Sequence, residues 1–162
     1  MGPGILFKAL LQGSFSLMVF GWAQIIMDIQ PLIVLITGEG HLHGFTHTYI
    51  GSILLAIFSG FTGKYLSEYG LRLLGISEKN NRLVISWYVV YFSAFAGTLS
   101  HVFLDSIMHG DIEPFSPFYS GNGLLGILTV SALYKLCFYS GVAGAILYYL
   151  IRYREFILRR KK

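Results

Sequence analysis

Histidine and aspartate are the residues of this chain whose types and spacing could do chemistry. The stretch HLHGFTHT places His43 four residues before His47, and SHVFLD places His101 four residues before Asp105. Side chains four residues apart lie on one face of a helix, one turn from each other. Two such pairs on neighbouring helices can converge on a metal ion without backbone strain, so the spacing predicts a divalent-cation site.

Asp28, in the stretch MDIQP, adds a further carboxylate to this set. We therefore predict metal ligation by His43, His47, His101, Asp105 and Asp28. Imidazole and carboxylate ligands together suit zinc, which we expect, with manganese and iron as alternatives. Haem ligation by His47 and His101 is a further reading, which the neighbouring acidic residues disfavour.

Three carboxylates are candidates for a general base that activates water, namely Asp28, Asp111 and Glu113. The other two histidines receive plainer interpretations: His41 as a solvated loop residue and His109 as an interfacial polar group. Hydroxyl side chains beside the predicted ligands could orient them through hydrogen bonds. These hydroxyl residues are Thr46, Thr48, Thr98 and Ser100.

The composition indicates a membrane protein. Hydrophobic residues make up 54% of the 162 residues and charged residues only 12%, whereas a soluble domain is about 25% charged. A spanning helix needs about 20 mostly apolar residues. We predict a single all-α polytopic membrane domain over residues 1–162, with four transmembrane helices at about 5–27, 47–66, 85–108 and 124–151. A short amphipathic helix is predicted between the second and third spans.

The distribution of basic residues predicts the orientation. Lysine and arginine occur in the 64–84 connection and in the tail 152–162, whereas residues 28–46 and 109–123 contain neither. Because basic residues favour the cytoplasmic side, we expect both termini and the basic tail in the cytoplasm, in a bacterial inner membrane. The predicted metal site then faces outward. Membrane lipids are the expected partners and nucleic acid is not.

The order of these motifs resembles the inner-membrane-associated metal-dependent hydrolase family described as LexA-binding. The matching elements are MDIQPL, LHGFTHT and GTLSHVFLDSIMHGDIEPFSPF. The resemblance implies a membrane-embedded metal site and hydrolysis. Where the family has Pro-Asp-x-Asp-His, this chain has Asp28 followed by Gln30 and Pro31. Where the family has a histidine opening His-Arg-x-x-Thr-His, this chain has Leu42, and His43 follows it.

Two functional hypotheses follow. The first is a metal-dependent membrane hydrolase that acts at the outer membrane–water interface on a lipid-linked phosphoester. The second is a structural or accessory membrane protein without enzyme activity, whose histidine–aspartate cluster ties helix ends together. A bound ion with an open coordination position would favour the first hypothesis, and a closed site the second.

Overall fold

The computed structural model describes residues 2–75 and 84–160, and every regular element in these ranges is helical. Two short 3-10 turns, Gln12–Ser14 and Phe45–His47, accompany the α-helices. The five α-helices are α1 (Gly2–Leu11), α2 (Leu17–Thr37), α3 (Tyr49–Leu73), α4 (Trp87–Met108) and α5 (Val130–Arg160). Helices α2 to α5 are long and apolar enough to cross a membrane. The prediction of an all-α polytopic membrane protein is confirmed.

Helices α2, α3 and α4 form the bundle that positions the site. The buried side chains of Val19 and Ala23 on α2 pack against Val90 and Ala94 on α4. Gly97 allows α4 to approach closely, because a Cβ atom there would lie 2.9 Å from the Cβ of Ala23. Small residues at helix contacts permit this kind of close packing in membranes.

Helices α1 and α5 form a second layer and pack chiefly on each other. Gly141 and Gly144 of α5 are buried against the backbone of the first turns of α1. Most large apolar side chains of α5 are exposed, which suits a helix surrounded by lipid.

The prediction of one continuous first span over residues 5–27 is wrong, because two helices cover this stretch. The backbone turns at Gln12, which has a φ of 46°, and the side chain of Ser16 caps the start of α2 by accepting a hydrogen bond from the Val19 amide. The Lys8 ammonium group bonds the carbonyl oxygens of Gln12 and Phe15. These polar contacts stabilise a turn that the apolar composition alone does not reveal.

Helix α2 also continues beyond the predicted end of the first span, through Pro31 to Thr37. Proline removes one backbone hydrogen bond, but the apolar run that follows it still favours a helix where no water can bond the backbone. Asp28 therefore lies within α2 rather than at its end.

The remaining bounds differ by several residues. Helix α3 begins at Tyr49 and runs without interruption to Leu73, so residues 67–73 extend the second span instead of starting the separate amphipathic helix; residues 76–83 of that connection lie outside the described residues. Helix α5 starts at Val130 rather than near 124, because Gly126 takes a left-handed conformation with a φ of 74°. It extends into the basic tail as far as Arg160.

Candidate metal centre

Three helices meet at the histidine–aspartate cluster. His47 ends the 3-10 turn directly before α3, and α4 presents His101 and Asp105 one turn apart. The Nε2 atom of His101 lies 3.0 Å from Oδ2 of Asp105 and 3.2 Å from Oδ1 of Asp28 on α2. The Nε2 atom of His47 lies 3.5 Å from the same Oδ2 atom of Asp105. The structure therefore brings these four predicted side chains together.

The side chain of Gln24 determines which nitrogen of His101 carries the proton. Its Nε2 amide donates to the carbonyl oxygen of Gly97 at 2.8 Å, so its Oε1 atom is the acceptor that faces Nδ1 of His101, at 3.0 Å. Nδ1 of His101 must therefore donate, and in a neutral ring Nε2 is left as a lone pair. Nε2 faces the carboxylates of Asp28 and Asp105, so it is the atom that a cation there, either a proton or a metal ion, would bind.

Thr46 and Gln30 fix His47 in the same way. The hydroxyl of Thr46 donates to Oε1 of Gln30 at 2.5 Å, and it lies 3.0 Å from Nδ1 of His47. Since the single hydroxyl proton is already donated to Gln30, the hydroxyl oxygen accepts from Nδ1–H of His47. Nε2 of His47 is again the unprotonated nitrogen.

His47 is buried in its neutral form. Its side chain is 0% exposed, and its Nε2 atom has no hydrogen-bond partner among the residues that the structure describes. Burial, followed by the neighbouring His101, lowers the pKa of His47 to about 4. A neutral imidazole is the form that binds metal ions, so His47 is prepared as a ligand at neutral pH.

These donors fit a divalent cation. Two imidazole lone pairs facing two carboxylates repel each other unless a positive charge lies between them. A proton on His101 would satisfy that ring but would leave the buried Nε2 atom of His47 without a partner. Asp28, His47 and His101 each offer a ligand atom within 4.8 Å of the others. This is the arrangement that a metal ion with nitrogen and oxygen ligands requires.

His43 lies beside this centre in a second group of polar side chains. Its Nδ1 atom is 2.8 Å from Oδ2 of Asp111, and its ring centroid is 4.4 Å from that of His109 and 5.0 Å from that of His47. Burial raises the pKa of Asp111, but the hydrogen bond from His43 and the charges nearby outweigh it, so the pKa lies below its ordinary value. Asp111 is therefore ionised at neutral pH.

A cavity of about 410 Å³ opens next to His43. Asp111 and Glu113 line it, as does His41, which is exposed. Glu113 belongs to none of the groups of described residues that could hold a metal ion. A cavity of this size accommodates a small polar headgroup.

Sequence reasoning missed Gln24 and Gln30 and gave His109 only a general polar role. The available signal for Gln24 was its position four residues before Asp28, on the same face of an otherwise apolar helix. Of the predicted orienting hydroxyls, Thr46 contacts a candidate ligand and Ser100 contacts Gln24. Thr48 instead caps α3 through the amide of Gly51, and Thr98 has no hydrogen-bond partner within the described ranges.

No protein-family model, curated protein or solved structure matches this chain. What the cluster does must therefore be argued from its own side chains.

Proposed function

We propose that the protein is a metal-dependent hydrolase of the bacterial inner membrane that cleaves a lipid-linked phosphoester at the outer interface. One observation carries the proposal: the Nε2 atoms of His47 and His101 converge on the carboxylates of Asp28 and Asp105. The order of the motifs, which resembles the inner-membrane-associated metal-dependent hydrolase family described as LexA-binding, supports the same reading.

The side chains around the centre have different roles in the proposed hydrolysis. A divalent cation bound there, with zinc the preferred ion, would lower the pKa of a water molecule and polarise the phosphoester. Asp105 lies between the two histidines and is only 16% exposed, so it would help to hold the ion. Asp28 is 63% exposed, so its second carboxylate oxygen can orient an incoming water molecule and accept its proton. Asp111 and Glu113, at the cavity, are the alternative bases.

The surroundings of Asp28 favour a substrate that arrives from the bilayer. On the same helix, the apolar side chains of Ile25, Ile29 and Leu32 are exposed. An ionised carboxylate in such surroundings is costly unless it has a partner, and here its partner is the cluster. The centre is thus open on a lipid-facing side, where a lipid tail could lie while the headgroup reaches Asp28.

The orientation follows from the basic residues. Most of them lie near the ends of α3 and α5 that are farthest from the cluster, at Lys64, Arg72 and the run from Arg152 to Arg160. Lys135, near the start of α5, is an exception. The positive-inside rule assigns those ends and the C-terminus to the cytoplasm. Against the expectation from the sequence, Gly2 lies next to Cys137 and Gly141, so the start of α1 lies beside the half of α5 that is away from its basic end. The cluster then faces the outside of the inner membrane.

The decisive experiment is a hydrolysis screen with purified, metal-loaded protein in detergent, using phospholipids and polyprenyl phosphates as substrates. We expect headgroup or phosphate release that falls more than about 100-fold in His47→Ala and in His101→Ala, because losing even an orienting partner of a ligand typically costs 10- to 100-fold. Glu39→Gln, an exposed carboxylate in the α2–α3 loop, is the control and should keep full activity. Equal activity in the two histidine variants and the wild type would refute the proposal.

The contact between Asp28 and His101 also favours a second candidate, a structural or accessory role. A protonated His101 would join α4 to α2 by donating from Nε2 to Oδ1 of Asp28, 3.2 Å away. If the cluster were only a tie between helices, His101→Ala would lower the unfolding temperature, and metal removal by a chelator would leave that temperature unchanged. A chelator-sensitive unfolding temperature in the wild type would exclude a metal-free tie.

A further inference from the structure

We propose that the protein binds a second divalent cation, held by His43, His109 and Asp111, next to the ion at Asp28, His47 and His101. The proposal deepens the proposed function and rests on it for its catalytic meaning. Its evidence, however, is the geometry and charge of a separate set of side chains.

The second set forms a compact group of donors. His43, His109 and Asp111 each offer one ligand atom within 4.8 Å of the others. His109 follows the last residue of α4, where its amide bonds the carbonyl oxygen of Asp105, so the end of the helix places its ring. The ring planes of His43 and His109 are inclined by only 32°. Two partly buried imidazoles and an ionised carboxylate converging in this way form a zinc-type donor set.

The two donor sets can be occupied together, because they have no residue in common. They are also adjacent. A third possible group, made of His43, His47 and Asp105, takes one histidine from each set, and its ligand atoms too lie within 4.8 Å of one another. Ions in the two sets would therefore be close neighbours. Asp105 would lie between them, as the bridging carboxylates of two-metal sites do.

The number of donors exceeds what one ion can use. Four histidines and three aspartates line the combined cluster, whereas a zinc ion usually takes about four ligands. One ion would leave nitrogen and oxygen donors without a positive partner. Two ions would use the whole set and keep open positions for water and substrate.

The charge of the cluster leads to the same conclusion. Its three carboxylates carry −3, and the sequence has no lysine or arginine between Lys8 and Lys64 or between Arg82 and Lys135. With the carboxylate of Glu113, which lines the same cavity, the formal charge reaches −4. One divalent ion would leave −2, which repels a phosphoester, whereas two ions would neutralise the site. Asp111 also lines the cavity of about 410 Å³, so the second ion would face the headgroup of the substrate. The substrate class that fits is a phosphate mono- or diester, as in other two-metal sites.

The test is the ion stoichiometry of the full-length protein in detergent. Metal-stripped protein is dialysed against Zn²⁺, and the bound zinc per chain is measured by elemental analysis. We expect two ions in the wild type and one in His109→Ala and in Asp111→Asn. The matched controls are His41→Ala and Glu113→Gln, which change another histidine and another carboxylate at the same cavity and should keep two ions. Asp111→Asn is nearly isosteric at an exposed site, so loss of folding should not obscure its result.

A second readout uses Mn²⁺ in place of Zn²⁺. Two neighbouring Mn²⁺ ions should give an exchange-coupled paramagnetic resonance spectrum in the wild type, and Asp111→Asn should give the spectrum of an isolated ion. One zinc ion in the wild type, or an unchanged stoichiometry in both variants, would overturn the inference. Hydrolysis with one bound ion would refute the second site alone, whereas two bound ions without hydrolysis of any screened substrate would refute the proposed function alone.

Discussion

The hydrogen bond from His101 to Gln24 provides the sharpest test of the site, through the substitution Gln24→Leu. Leucine has a similar volume, but it cannot accept a hydrogen bond from Nδ1–H of His101, whose Nδ1 atom lies 3.0 Å from the amide oxygen of Gln24. The ring would lose the contact that directs its Nε2 atom toward Asp28 and Asp105. We therefore expect weaker zinc binding in a protein that still folds.

The magnitude follows from what the substitution leaves unpaired. Nδ1–H of His101 loses its partner, in a part of the bundle where His101 is only 8% exposed, whereas the carbonyl oxygen of Gly97 still accepts from the Ser100 hydroxyl at 3.0 Å. A buried polar group without a partner costs about 1–3 kcal/mol. If the zinc-bound state bears this whole cost, the zinc affinity falls about 5- to 150-fold. This range agrees with the 10- to 100-fold loss that is typical when a residue that orients a metal ligand is removed.

The assay is a competition titration with a zinc-chelating fluorophore in detergent. Gln24→Glu should retain zinc affinity, because a carboxylate accepts the same proton and raises the basicity of the ring. Thr62→Val is the matched control, since it removes the bond from Trp22 Nε1 to the Thr62 hydroxyl at 2.9 Å, another contact between α2 and a neighbouring helix, without touching the cluster. If Gln24→Leu binds zinc as tightly as the wild type, the assignment of the His101 tautomer is wrong.

Two further substitutions test other parts of the structure. Thr46→Val should weaken zinc binding about 10-fold or more, because Nδ1 of His47 loses its hydrogen-bond partner. Thr46→Ser keeps the hydroxyl and should match the wild type in the same titration. Equal losses in both variants would contradict the proposed hydrogen bond from His47 to Thr46. Glu68→Ala should lower the free energy of unfolding by about 3 kcal/mol, because it leaves the buried ammonium group of Lys64 without its carboxylate. The Nζ atom of Lys64 lies 2.5 Å from Oε1 of Glu68. The control is Glu155→Ala, which breaks the exposed pair of Arg152 and Glu155 and should lower the free energy of unfolding by less than about 1 kcal/mol. Denaturant titration in detergent measures the free energy of unfolding of both variants. Similar losses in the two would show that burial does not strengthen the pair of Lys64 and Glu68.

The meeting of His101 and Asp105 could be predicted because a strong local pattern placed both. The prediction that His43 and His47 share one face of a helix is wrong, because both residues precede α3 and His47 ends a 3-10 turn. His101 and Asp105 lie within a long apolar run, so the helical period puts them on one face, and charged groups in lipid rarely stand alone. The prediction of four spanning helices succeeded for the same reason. Only the composition of each run was needed.

The composition of the apolar runs could not predict the helix break at Gln12 or the continuation of helix α2 through Pro31. Both depend on contacts remote in sequence or on the solvent. The turn is held by the Lys8 ammonium group and by the amide of Ser16, which donates to the Ser93 hydroxyl at 2.8 Å. Proline ends helices in water, but an apolar helix in lipid continues past it because the unbonded backbone has no alternative partner.

The amides of Gln24 and Gln30 were missed because neither binds a metal or transfers a proton. Each acts through a histidine: Gln24 directly, and Gln30 through the hydroxyl of Thr46. Roles of this kind depend on which atom of an amide faces which ring, and spacing along the chain carries no such information.

The departures from the motifs of the resembled family acquire a physical interpretation in this arrangement. Gln30 stands where that family has a second aspartate, and its amide oxygen accepts from both the amide and the hydroxyl of Thr46, so this position orients His47 instead of binding an ion. A carboxylate there would add a fourth negative charge to a cluster that already has three. His43 follows the position where the family has a histidine, and it turns toward Asp111 and His109. His43 and Asp111 line the cavity, which is where the proposed second cation would bind.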